Sequence, residues 1–256
     1  MFTLISLTVA DDPGTWAAMG FTVADATVRI GSLDLVLTGA DVVAASDVAD
    51  VVKRGITGWT FASADKCPSE IDGIAVTQAP PGVDREVSVA LTHPNGVCAI
   101  DHLVVSTPNL DRTIAAFEQA GLECRRERER TYDDNPRNTM RQAFFWLGDV
   151  SKPSERILCE VVGPKVPDPT KSNRPSSFFG LALTSEDIDF TATAMGDLLK
   201  PPVTAVQAGR RIATVRSSAG SSVPIAIMSP HINPLYVDPS SVNPSSAHHS
   251  SVPEQT

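Results

Sequence analysis

Ile100-Asp101-His102-Leu103-Val104-Val105-Ser106-Thr107-Pro108 opens, and Ile157-Leu158-Cys159-Glu160-Val161-Val162-Gly163-Pro164 closes, the stretch whose reading decides the fold. The opening run alternates with the period of a strand. Cys98, Ile100, His102 and Val104 face one way, and Ala99, Asp101, Leu103 and Val105 the other. Thr107-Pro108 then starts a helix with proline at its favoured first position. Leu110, Ile114 and Phe117 form its apolar stripe, and Gly121 stops it. A charged strand over 124–130, a polar loop over 132–139 and an apolar strand over 142–147 follow. The turn Lys152-Pro153-Ser154 leads into the closing run, and the whole is one βαβββ unit.

Working outward, the same order recurs with losses. Residues 4–9 read as a strand, Asp11-Asp12-Pro13 as a helix start, and Trp16 and Met19 as the buried side of a short helix ending at Gly20. Residues 21–23, 27–30 and 33–38 then read as three strands, and residues 47–53 as a connecting helix. An eroded second unit runs over 58–94. Its opening, Gly58-Trp59-Thr60-Phe61, matches Gly180-Leu181-Ala182-Leu183, and its close, residues 87–94, matches residues 223–230. After a proline-bearing linker at 165–177 comes a fourth unit. It has a strand over 178–184, a helix capped by Ser185 or Asp187, and strands over 204–207, 211–216 and 223–228. Pro224 has no N–H for a ladder, which predicts a free edge there. Residues 231–256 lose all periodicity and read as a disordered tail.

The bulk properties narrow the function classes. A formal charge of −9 argues against nucleic acid or an anionic membrane as partner. No apolar run approaches the ~20 residues of a membrane span. The amino terminus lacks the basic and long apolar regions of a secretory signal. Cys67, Cys98, Cys124 and Cys159 form no Cys-x-x-Cys pair and read as reduced thiols of a cytoplasmic protein.

The His-bearing first strand, helix and Glu-bearing last strand resemble a module of the vicinal oxygen chelate superfamily, which holds glyoxalases, extradiol dioxygenases, epimerases and antibiotic-resistance proteins. The resemblance covers residues 98–230 well and 2–94 weakly. It implies an α+β fold of repeated βαβββ modules forming half-barrel cups, in two pseudo-duplicated halves. Residues 1–97 would be a degenerate amino-terminal half, 98–230 the glyoxalase-like domain and 231–256 the tail. It also implies a pocket in which first- and last-strand residues hold one divalent metal.

Here those residues are His102 and Glu160, whose imidazole and carboxylate suit Fe, Mn, Ni or Zn. A lone glutamate in Ile-Leu-Cys-Glu-Val-Val is costly to bury without a partner, and that cost is the physical argument for a site. An exposed Glu160, or a His102–Glu160 hydrogen bond without metal, is the structural alternative. Gly180 and Ala226 stand at the corresponding places of the fourth unit, Ser6 and Val36 of the first, and Gly58 and Ala90 of the second. Two protein ligands fall short of the three a catalytic site needs; a homodimer partner, or Tyr132, Asp133 and Asp134, would complete it.

Around the pair, Arg128 would clamp a substrate carboxylate or phosphate, unless the alternating Arg and Glu of 123–130 only protect a solvated edge strand. Gln142 and Phe144, expected to bind substrate with Arg128, share a face with Trp146, and Arg141, Ala143, Phe145 and Leu147 share the other. Parity does not say which set lines the cup. Arg210-Arg211 reads as surface and Cys159 as core. The expectation is a protein that binds a small molecule in a β-sheet cup as a metal-dependent lyase, isomerase or dioxygenase, with Glu160 moving a proton. The alternative is a metal-free protein that binds or sequesters its ligand, as resistance members do.

Overall fold

Alternating apolar residues make the strands of two mixed sheets. The structure, a computed structural model, describes residues 2–39, 42–43, 51–52, 54–80, 92–131, 139–149, 151–152 and 156–231. The first sheet contains β1 (Thr3–Val9), β2 (Thr27–Ile30) and β3 (Leu33–Leu37), with α1 (Pro13–Ala18) between β1 and β2. The short strands β4 (Val42–Val43) and β5 (Val51–Val52) pair with each other. Then come β6 (Ile56–Ala62), β7 (Glu70–Ile71) and β8 (Ile74–Gln78), and the order across the six-stranded sheet is β2-β3-β1-β6-β8-β7.

The second sheet begins with β9 (Val97–Ser106), α2 (Leu110–Gln119), β10 (Cys124–Thr131), β11 (Thr139–Leu147) and β12 (Ile157–Pro164). It continues with β13 (Ser177–Ser185), α3 (Ile188–Met195), β14 (Val203–Thr204), β15 (Arg211–Thr214) and β16 (Ile225–Met228). Its order is β10-β11-β12-β9-β13-β16-β15-β14. In each βαβββ unit the last strand lies parallel beside the first, β12 on β9 and β16 on β13. The two first strands meet antiparallel at the centre.

One face of this sheet is sealed. Leu103, Val105, Phe145, Cys159 and Val161 are fully buried, and Phe145 stacks on Phe117 of α2 at 4.7 Å between ring centroids. Trp59 of β6 meets both Phe117 (5.9 Å) and Phe178 of β13 (5.2 Å), so the two sheets share one core. Polar latches hold the halves in register. Asp72, at the β7–β8 turn, accepts from Arg112 Nε at 2.7 Å and from Thr113 and Ser176. Asp11 accepts from Trp16 Nε1 at 3.0 Å and from Ser221 Oγ at 2.8 Å.

Several expectations change. Residues 21–23 form no strand: the Phe21 N–H closes on Trp16 O of α1 and the Thr22 N–H on His93 Nδ1, so no ladder is left for them. Val51–Val52, expected in a helix, are extended in β5, while 47–50 lie outside the described residues. β7 and β8 were not anticipated; Asp72 and Gly73, both at positive φ (49° and 82°), make the two-residue turn that joins them. Of the closing stretch expected at 87–94, residues 92–94 form no strand and 87–91 lie outside the described residues, as does the tail beyond 231.

α2 begins after Pro108, because Asn109 caps it by accepting from the Arg112 N–H; α3 is capped by Asp187. The last three strands of the fourth unit are shorter than expected, and the first, β13, is longer by one residue at each end. Pro224 precedes β16 and its carbonyl accepts from the Leu181 N–H, so β16 runs between β13 and β15 with no free edge.

Candidate functional site

The open face of the eight-stranded sheet curves around a cavity of about 550 Å3 to which every one of its strands contributes. Its floor is the pair found in sequence. Glu160 and His102 sit on neighbouring parallel strands, two residues apart in register and so on the same face, since Leu158 pairs with His102 and Glu160 with Val104. His102 Nε2 lies 3.4 Å from Glu160 Oε2. Glu160 is only 9% exposed; its other oxygen accepts from Gln142 Nε2, and Gln142 Oε1 accepts from Arg128 Nε. Arg128 also lies over the Phe144 ring, 5.1 Å from the centroid. His102, Glu160, Gln142 and Arg128 all line the cavity, whereas Phe144 stands behind it as the platform for Arg128. The face of β11 is thereby decided: Gln142, Phe144 and Trp146 lie on the cup side, and Ala143, Phe145 and Leu147 are buried in the core.

Two residues of the site escaped the sequence reading. Asp101 was placed on the face opposite His102, but its Oδ1 lies 2.7 Å from His102 Nδ1. The cause is a bulge: Ala182 pairs with His102 and Leu183 with Ile100, so Asp101 is the extra residue of β9. A bulge re-aims the side chain it carries, and simple alternation fails there. Arg210, expected at the surface, is only 2% exposed. It donates from Nη2 to Asp101, from Nε to Ser229 O at 2.8 Å and from Nη1 to Gln207. A side chain that finds three acceptors, one of them a buried carboxylate, recovers the cost of leaving water. Arg211, by contrast, stays at the surface and pairs with Asp189 at 2.6 Å. His231, which lacked a partner in sequence, comes within 3.2 Å of Arg210 Nη1.

These contacts set protonation states. Burial alone pushes the Asp101 carboxyl up; hydrogen bonds from His102 and Arg210 overturn that and hold it at about 2. An ionised Asp101 only accepts, so the proton of a neutral His102 ring sits on Nδ1 and the lone pair on Nε2, the atom that faces Glu160. Cys159, on the sealed face, is fully buried, and burial holds its thiol far above the usual range, as a core residue requires. All four cysteines are free thiols.

The pair also has the donor chemistry of a divalent metal site. Two ligands ~2.1 Å from one ion stand roughly 3.0–3.4 Å apart, and a carboxylate behind the ligating histidine is the usual support. No group of three His, Cys, Asp or Glu side chains joins to hold an ion among the described residues, and Tyr132, Asp133 and Asp134 lie outside them. At Gly180 the shortfall is steric as well as chemical, because a Cβ built there would overlap Pro224 O. His102 and Glu160 therefore offer two donors of the kinds a divalent ion takes, fewer than the three protein ligands of a usual catalytic site.

Two solved structures illustrate what the chain is similar to. A triple mutant of 4-hydroxymandelate synthase from Streptomyces coelicolor is similar over 89% of this chain and 92% of its own, at 13% identity and a TM-score of 0.52. Methylmalonyl-CoA epimerase from Mycobacterium tuberculosis is similar over 54% of this chain and 91% of its own, at 19% identity and a TM-score of 0.39. No family model matches the chain, and no curated protein matches it. The likeness to the synthase spans both sheets, and the chain has the α+β vicinal oxygen chelate, or glyoxalase-like, fold. Among the described residues no helix is long and apolar enough to cross a membrane.

Proposed function

We propose that this protein binds a small molecule in the cup of its eight-stranded sheet and moves a proton on it through Glu160, as a lyase or isomerase does. One observation carries this: a buried carboxylate on the cavity floor, held by Gln142 on one side and facing His102 Nε2 at 3.4 Å on the other. Gln142 and Arg128 keep one Glu160 oxygen oriented, leaving Oε2 beside the imidazole. Asp101 fixes the His102 ring so that Nε2 can receive or return a proton. In place of proton transfer by the imidazole, His102 and Glu160 would hold a divalent ion, which would polarise a ligand oxygen beside them. In this assignment residues 98–230 carry the site and residues 1–97 brace its sealed face.

Binding without reaction is the second reading. It is favoured by the fourth unit, where Gly180 and Ala226 offer no side chain that could ligate or transfer a proton. Solvent exchange separates the two. Incubated in D2O with a panel of small carbonyl compounds, the wild type should incorporate deuterium beside the carbonyl of at least one. Glu160→Gln should lose that exchange by roughly 10²–10⁴-fold, the usual share of a general base. Ligand binding with no exchange anywhere in the panel, unchanged by Glu160→Gln, would establish sequestration instead.

A further inference from the structure

The cup is chemically lopsided. One wall is cationic, built from Arg128 and Arg130 of the edge strand β10. The opposite wall is apolar and open: Phe179 of β13 is 59% exposed and Val206, just past β14, is 66% exposed, yet both line the cavity. Between them Met140, Val162, Ile212 and Met228 continue an apolar surface toward the floor. An exposed phenylalanine on a cavity wall has given up burial that the core would have supplied, and a ligand's apolar surface restores it.

Arg128 is held ready rather than satisfied. Its Nε is committed to Gln142 and its plane rests by the Phe144 ring, while its two terminal amino groups have no hydrogen-bond or ion-pair partner among the described residues. A guanidinium pinned at Nε and backed by a ring presents a planar pair of donors, the geometry that a carboxylate matches with two oxygens. Gln142 stands between Arg128 and Glu160 and bonds to both, so an anion at Arg128 is separated from the Glu160 carboxylate by a neutral amide. With the Glu160 carboxylate already on the floor, the site suits a monoanion better than a phosphate dianion.

We propose that the ligand of this cup is an amphipathic small monocarboxylate, its carboxylate taken by the terminal amino groups of Arg128 and its apolar body laid against Phe179 and Val206. This deepens the proposed function and rests on the same cavity, but it concerns what is bound and not what is done to it. The probe is 4-phenylbutanoate, compared by calorimetric titration with 4-phenylbutanamide, which lacks the charge, and butanoate, which lacks the ring. The wild type should bind 4-phenylbutanoate at least tenfold more tightly than either.

Arg128→Gln should abolish the preference for acid over amide while leaving the preference for the ring. Phe179→Ser, at an exposed position that endangers the fold least, should do the reverse. Glu160→Gln should keep both preferences, which separates this inference from the proton-transfer reading: lost exchange with retained selectivity supports both. Equal affinity for acid and amide in the wild type, or no binding of 4-phenylbutanoate, would overturn the carboxylate assignment and leave the exchange experiment to judge Glu160 alone.

Discussion

Ser6 and Val36 hold, in the six-stranded sheet, the places that His102 and Glu160 hold in the eight-stranded one. β1 and β3 run parallel with Ser6 opposite Asp34 and Thr8 opposite Val36, as β9 and β12 run parallel with His102 opposite Leu158 and Val104 opposite Glu160. Where Asp101 precedes His102, buried Ile5 precedes Ser6. The strand pairing is thus made equally well with a hydroxyl and an aliphatic side chain. The charged set of the other sheet is not needed to build it. Burying two carboxylates, an imidazole and a guanidinium costs stability that an apolar sheet would not lose. The difference supports the proposal that these charges serve a site, with the six-stranded sheet as its framework.

The comparison breaks first at Arg210. If the buried set is as interdependent as its hydrogen bonds suggest, Arg210→Ala should cost about 3–5 kcal/mol, because it strands a carboxylate whose side chain is 3% exposed. Chemical denaturation measures this directly. A loss below about 1 kcal/mol would mean that solvent or His231 takes over the role of Arg210.

A smaller effect sharpens the same contrast by pH. The Asp101 pKa is depressed from 3.8 to about 2 by folding, so its contribution is whole above about pH 4 and is lost as pH falls through about 2. The shift corresponds to about 2 kcal/mol. The stability gap between the wild type and Asp101→Asn should therefore narrow by that amount between pH 5 and pH 2. A gap that stays constant over this range would show that Asp101 is not ionised in the way its contacts require.

The smallest effect is expected in the other sheet. Val36 is 36% exposed, so Val36→Glu should change stability by no more than about 0.5 kcal/mol and leave ligand binding untouched. A large loss in melting temperature would mean that the outer face of the six-stranded sheet is covered and that its framework role is incomplete.

The sequence by itself determined the βαβββ order of the site-bearing half, the sealed and open faces of β9 and β12, and the meeting of His102 with Glu160. These follow from strand alternation and from the cost of a glutamate in an apolar run, both local and legible. It also named Arg128, Gln142 and Phe144, though parity left the face of β11 open until Phe145 was seen to pack on Phe117. Only the tertiary structure placed Asp101 and Arg210. A bulge adds one residue to a strand without marking the chain, and it shifts Asp101 to the side of His102. Arg210 is buried because β15 and β16 carry it to a carboxylate more than a hundred residues away, and no periodicity near Ala208-Gly209 records that partner. Local pattern decides which face a side chain takes; the long-range pairing of strands decides which charges meet there.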